Sequence, residues 1–350
     1  MTDNRFRLGF LSHVEGGADL RQTYANVQEL FVVADELGFD TGWVAQHHTW
    51  PSEHGGLPSP WVFLAHAAAK TTSIHLGTAI TIAPLEDPIR LAEDVGVLDA
   101  LSGGRVELGV GSGYSPVEYG LFDKDFDRKR ELTTEVLART LAALRGQPLD
   151  DNGTTLIPVS PDLAANRIWH GIFSNEGARH VAREGTNLLL NRATYGYAEP
   201  TDVVQRPWAD TYLDEWQLDR KPRIGISRLI LAAKDRDTAL SYLADGVLDG
   251  VRRTSGSAQG SIGTPTLEDA LFHFNAFYGH PDEIIPRLAE EKVLPVATDL
   301  LAQFNPGTPT LDVAIRALEY LAREIAPALG WSPAEQVAAV DSNTDTLSRG

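Results

Sequence analysis

Short apolar runs alternate with longer amphipathic stretches along almost the whole chain, and few folds can satisfy that pattern. The runs are Leu8 to Leu11, Gly42 to Gln46, Ile74 to Ile82, Val106 to Gly111, Ile168 to Phe173, Asn187 to Asn191, Ile224 to Ala232 and Thr298 to Phe304. Helical periodicity falls between them, over Tyr24–Leu37, Trp61–Lys70, Ile89–Leu101, Phe126–Leu144, Glu176–Glu184, Asp202–Trp216, Asp237–Leu248 and Leu311–Ala326. Strands apolar on both faces must be covered on both, which implies a parallel sheet wrapped by helices. A doubly wound sheet more often stops at about five or six strands, whereas eight β/α units point to a closed barrel. The expected fold class is α/β, a (β/α)₈ TIM barrel with insertions in the loops at its C-terminal face. Pro60, Pro88 and Pro116 sit where proline favours the first turn of a helix.

The 350 residues are expected to divide into one barrel domain, 1–330, and a tail, 331–350, without clear periodicity. Two segments rich in Gly, Pro, Ser and Thr, 145–166 and 251–267, are too long for plain connections and read as insertions or a mobile loop. No apolar run approaches the roughly eighteen residues of a membrane helix. The start "MTDNRFRLGFLSH" lacks a basic-then-apolar leader, so a cytoplasmic protein is expected. With no cysteine, the chemistry must come from other side chains or a cofactor. A net charge of −18 weighs against nucleic acid and anionic membranes and favours a small-molecule partner.

In a barrel, ligands meet the chain where strands end, and the second run ends in "GFDTGWVAQHHTWPSEHGG". Alternation sends one of His47 and His48 into the mouth and the other toward the helices, so the pair cannot converge on a metal, and no metal site is expected. Glu53 and His54 follow no ligand spacing. The fourth run ends in "ELGVGSGYSPVEYGLF", where Tyr114 occupies the place of the last glycine of a dinucleotide fingerprint and no ribose-binding acid follows. What remains is backbone passing close to something flat or bulky, or a tight turn. After the fifth run, "GIFSNEGARHVAREG" offers Ser174 and Asn175 as caps with Gly177 in the first turn, either an anion site or a capped helix with nothing bound. Arg228 lies inside a strand and needs a partner, whether substrate, phosphate or carboxylate. Aromatics in "TWPSEHGGLPSPW" and "FHFNAFYGH" read equally as pocket lining or core.

Taken in order, these pieces, with "LGTAITIAPLEDPIRLAEDVGVLDALSGGRVELGVGSGYSPVEYGLF", "YGHPDEIIPRL" and "TDLLAQFNPGTPTLDVAIRALEYLAREIAPAL", resemble the bacterial luciferase-like family of flavin-dependent monooxygenases over Leu8 to about Leu329. The resemblance implies a barrel that binds reduced FMN from a separate flavin reductase, lets dioxygen add to form a peroxyflavin, and oxygenates a small organic substrate. It places His47 as the catalytic histidine and Gln46 beside the flavin, where members often carry Glu. Ala79 and Ile80 match the pair whose unusual peptide supports the ring. Ser174 and Gly177 match the phosphate turn, and Ser112, Gly113 and Tyr114 match a loop closing on the cofactor, with Ser112 where an Arg is common. A homodimer is implied as well. The alternatives are a deazaflavin-dependent reductase or dehydrogenase, a flavin-binding protein without turnover, and a metal hydrolase using the histidines.

Overall fold

Each expected apolar run carries a strand: β1 (Arg7–Ser12), β2 (Thr41–Val44), β3 (His75–Thr78), β4 (Val106–Gly111), β5 (Ile168–Ile172), β6 (Asn187–Leu190), β7 (Ile224–Ala232) and β8 (Asp299–Gln303). All neighbours are parallel and pair in chain order, and β8 pairs with both β1 and β7, so the sheet closes into a (β/α)₈ barrel. This is a computed structural model, and it describes residues 6–17, 19–49, 55–194, 197–255, 266–307 and 309–333. The covering helices are α1 (Leu20–Glu36), α2 (Pro60–Ala68), α3 (Pro88–Leu101), α4 (Lys129–Leu144), α5 (Asn175–Glu184), α6 (Thr201–Asp214), α7 (Arg236–Ser255) and α8 (Leu311–Tyr320). Pro60 and Pro88 open α2 and α3, and Pro116 opens an additional short helix, Pro116–Leu121.

Four details depart from the sequence reading. The third run is not one strand: it breaks at a cis peptide between Ala79 and Ile80 and resumes as Thr81–Ile82, paired to β4. Three helices, not one, connect β7 to β8, because Leu267–His273 and Pro281–Ala289 follow α7. The last helix passes through a π-helical turn, Leu321–Ile325. Trp331, at the expected start of the tail, is buried against Phe39 and donates its indole N–H to Asp40 at 2.8 Å. Residues 334–350 of the expected tail and 256–265 of the expected mobile segment lie outside the described residues.

Period-two alternation sorts the strand residues into two cores. Even-numbered positions such as Phe10, Val44, Leu108, Leu188 and Leu300 face the helices and join the large outer core. Odd-numbered positions face the barrel axis, where Leu11, Trp43, Trp169, Leu189 and Leu301 form a separate apolar plug. Trp43 and Trp169 meet edge to face at 5.6 Å. Gly77 makes room for this pair, since a Cβ there would lie 2.3 Å from the Trp43 ring.

Below the plug, at the N-terminal ends of the strands, the same inward positions are charged. Glu107 of β4, fully buried, receives Arg7 at 3.0 Å, His75 at 3.1 Å, Arg223 at 3.4 Å and the Trp169 indole N–H at 2.7 Å. Arg223 also holds Asp299 at 2.8 Å. Burial alone pushes the Glu107 carboxyl up, but Arg223, the His75 hydrogen bond and Arg7 together hold it well below the usual carboxylate range. Charge paired within this end of the barrel serves stability, and the opposite end is left for chemistry.

Candidate active site

Above the plug, the inward positions become polar just as the strands end. His13 follows β1, His47 follows β2, Ser227 lies on β7 and Gln303 ends β8. Parity therefore settles which of the paired histidines enters the mouth: His47 shares the inward register of Thr41 and Trp43, and His48 does not. The His47 ring stacks on His13 with centroids 5.5 Å apart, and His47 Nε2 lies 3.3 Å from His13 Nδ1. Its backbone N–H donates to Leu57 at 3.0 Å, and Gly55 passes so close that a Cβ there would meet the imidazole at 2.5 Å. His48 turns away, packing on Phe122 at 4.6 Å while its backbone N–H donates to Glu118 at 2.7 Å. Burial lowers its pKa and raises that of Glu118.

Ala79 and Ile80, only partly buried, cap the apolar plug. The Ala79–Ile80 peptide is cis, as the family resemblance implies. This ledge is tied directly to the His47 strand, because Ala79 N–H donates to Val44 and Gln46 N–H donates to Ile80 at 3.2 Å. The Gln46 side chain is fully engaged by the surrounding chain. It donates to Pro58 at 3.1 Å and Glu86 at 2.7 Å and accepts from the Ile82 amide at 2.7 Å, lacing the strand end to the chain beyond the ledge. Burial raises the Glu86 carboxyl, with Gln46 opposing the shift. A glutamate at position 46 would put a second carboxylate against Glu86, which is a physical reason for the amide here.

The bulky neighbour that the glycines of β4 accommodate is the ledge strand itself. A Cβ on Gly109 would lie 1.9 Å from the Thr78 carbonyl, one on Gly111 3.0 Å from Ile80, and one on Gly113 2.9 Å from Ile82. Gly113 also turns through φ +66°, a conformation that suits glycine. Ser112 shares a hydrogen bond with Thr133 at 2.9 Å, and Tyr114 is 55% exposed.

Ser174 caps α5, its Oγ accepting from Gly177 N–H at 3.1 Å, and Gly177 fits against Ile172, where a Cβ would come within 3.1 Å. The amides of Asn175 and Glu176 lie in the first turn, where the helix supplies no partner. Arg179 and Arg183 of α5 are both spent on Glu215. Arg228 finds a carboxylate: its guanidinium and Glu291 form a fully buried ion pair on the helix side of β7, and Glu291 also accepts from the Val293 amide at 2.7 Å. Phe274, Phe277 and Tyr278 are core residues, while Phe272 is exposed. Residues 50–54, which include Glu53 and His54, lie outside the described residues.

The sequence profile described as luciferase-like monooxygenase matches residues 5–298. The chain belongs to the luciferase-like monooxygenase family. As a member it is an oxidoreductase. Its relatives include the uncharacterised protein y4vJ of Sinorhizobium fredii, 27% identical over 323 residues, with 87% of this chain and 91% of that protein covered. Solved structures that share the fold include the following two. The oxygenating constituent of 3,6-diketocamphane monooxygenase from Pseudomonas putida, in complex with FMN, has a TM-score of 0.75 at 19% identity, covering 94% of this chain and 99% of the other. The coenzyme F420-dependent tetrahydromethanopterin reductase of Methanopyrus kandleri has a TM-score of 0.67 at 17% identity, covering 92% and 99%.

Within this luciferase-like barrel, one cation was missed by the sequence reading. Arg192, just past β6, reaches across the mouth to His13 Nε2 at 3.2 Å and Gln303 Oε1 at 3.1 Å, and lies over the Phe274 ring at 5.4 Å. Its buried Nε has no hydrogen-bond acceptor among the described residues, and no carboxylate there pairs with it. His13 and Arg192 both lie just past the C-terminal end of a barrel strand, the place that drew attention to the His47–His48 pair in the sequence.

Proposed function

We propose that the chain is the oxygenase component of a two-component flavin-dependent monooxygenase. Reduced FMN comes from a separate flavin reductase, and a small organic substrate and dioxygen meet it in the barrel mouth. The observation that carries this reading is the Ala79–Ile80 ledge: an apolar shelf on a dry plug, hydrogen-bonded to the strand that delivers His47. A flat redox ring needs such a shelf under one face and donors around its edge. Arg192 brings a cationic edge with a donor that has no acceptor among the described residues, and the start of α5 brings first-turn amides and the positive end of a helix dipole for a phosphate. These residues fit the cofactor. Because Ser112 is engaged with Thr133 and carries no charge, phosphate binding rests on Ser174 and the α5 amides.

Reduced flavin bound there would supply the electrons by which one atom of dioxygen enters the substrate and the other leaves as water. The protein's own part is to hold, dry and donate. Leu11, Trp43, Trp169, Leu189 and Leu301 exclude water from beneath the ledge. His47, held by the Leu57 carbonyl, by Gly55 and by His13, offers an imidazole for proton transfer, which is the role of a catalytic histidine near neutral pH.

A second reading, supported by the barrel shared with the coenzyme F420-dependent reductase of Methanopyrus kandleri, is a deazaflavin-dependent oxidoreductase, whose chemistry is hydride transfer without dioxygen. Stopped-flow mixing of the protein and reduced FMN with aerated buffer separates the two. The monooxygenase reading expects the protein to change the time course of flavin reoxidation. A time course identical to that of free reduced FMN, together with hydride transfer from a reduced deazaflavin, would reverse the order of the readings.

A further inference from the structure

Ser227, Gln303, Arg192, His13 and His47 form a continuous hydrogen-bonded chain around the mouth, drawn from within β7, from the end of β8 and from the residues just past β6, β1 and β2. Its polarity is set by one member. A guanidinium has only donors, so both His13 Nε2, at 3.2 Å, and Gln303 Oε1, at 3.1 Å, must accept from Arg192. Gln303 is turned accordingly, its amide nitrogen donating to Ser227 Oγ. A neutral imidazole with Nε2 accepting carries its proton on Nδ1. His13 Nδ1 therefore donates to His47 Nε2 across 3.3 Å, and His47 in turn carries its proton on Nδ1. A cationic His47 would point an Nε2–H at the His13 Nδ1–H.

From this geometry we infer that Arg192 and His13 are positioning residues that fix His47 as the neutral Nδ1–H tautomer, with Nε2 reserved as an acceptor. The chain is anchored at both remote points, since Arg192 lies over Phe274 and the His13 backbone N–H donates to Asn305 at 3.2 Å. The inference rests on the reading that His47 serves the bound cofactor only for its consequence. The tautomer is a property of the protein alone.

The test is long-range ¹⁵N–¹H spectroscopy of histidine-labelled full-length protein without flavin, with His47 and His13 assigned by the signals lost in His47→Gln and His13→Gln. Wild type is expected to show the Nδ1–H form of His47. Arg192→Met, which removes the charge-assisted donor, is expected to shift the His47 tautomer ratio by about tenfold or more. Arg192→Lys, which keeps a donor and a charge, restores the wild-type pattern. Circular dichroism and the melting midpoint establish that each variant is folded. His47 found with its proton on Nε2 in wild type would overturn the inference even if neither Arg192 variant folded. So would a folded Arg192→Met with an unchanged His47 signal. Failure of flavin to bind would not touch these spectra, so the two readings fail separately.

Discussion

Glu107→Gln tests the charged layer beneath the barrel plug. The substitution keeps the side chain's size and leaves an acceptor for the Trp169 indole, but removes the charge that faces Arg7, Arg223 and His75. Removing one partner of a buried ion pair costs about 3–5 kcal/mol. The lower end applies because Arg223 keeps Asp299 at 2.8 Å. For 350 residues, roughly 2 cal/mol/K of unfolding entropy per residue amounts to about 0.7 kcal/mol/K, so about 3 kcal/mol lowers the midpoint by about 4 °C. Differential scanning calorimetry at pH 7 reads this directly. The pH dependence has a definite sign. The folded-state pKa of Glu107 is depressed, so its contribution is fully present above the unfolded carboxylate value near 4.5 and is lost as pH falls below it. The gap between wild type and variant should narrow as pH falls from about 4.5. A variant melting within 1 °C of wild type at pH 7, or a gap that widens toward acid, would refute the reasoning.

Gln46→Glu should destabilise the protein by about 1–2 kcal/mol in urea unfolding, because it sets two carboxyls against each other where Gln46 now donates to Glu86; adding Glu86→Gln should recover most of the loss, and failure of that rescue would show that the pair is not the cause. Arg228→Met leaves Glu291 buried without its cation and should cost about 3–5 kcal/mol while FMN affinity stays within about threefold, since the pair faces the helices; a selective loss of FMN binding would place Arg228 in the site after all. Burial, reinforced by His180, holds His170 down at about 4 against 6.5 for an ordinary histidine. Its stabilising effect is therefore present above pH 6.5 and lost as pH falls toward 4, by about 3 kcal/mol in all, and His170→Leu should flatten the urea-derived stability curve over that window.

The eight strands and the closed barrel were legible because strands covered on both faces must be continuously apolar, and eight β/α units point to a closed ring more than to an open sheet. The direction of His47 was legible as a choice of one in two, and counting from Thr41 and Trp43 resolves it. The glycines at 109, 111 and 113 announced a close approach, but not that the approaching element was the chain from Thr78 to Ile82. A break at Ala79–Ile80 leaves the hydropathy pattern of the third run intact, so periodicity read it as one strand. Partners far apart in sequence were out of reach for the same physical reason: Gln46 meets Glu86, Arg228 meets Glu291 and Arg192 meets His13 only once the barrel has closed. Arg192 carries no local motif, and only its place after a strand marks it.

Titrating the purified protein separately with FMN, reduced FMN and a reduced deazaflavin, followed by absorbance and fluorescence, measures the central claim most directly. Reduced FMN should bind at one site per chain, and Ile80→Asp, which puts a charge on the ledge, should weaken that binding by at least about tenfold. Exclusive binding of the deazaflavin, or reduced FMN binding that Ile80→Asp leaves unchanged, would contradict a cofactor lying on Ala79 and Ile80 beside His47.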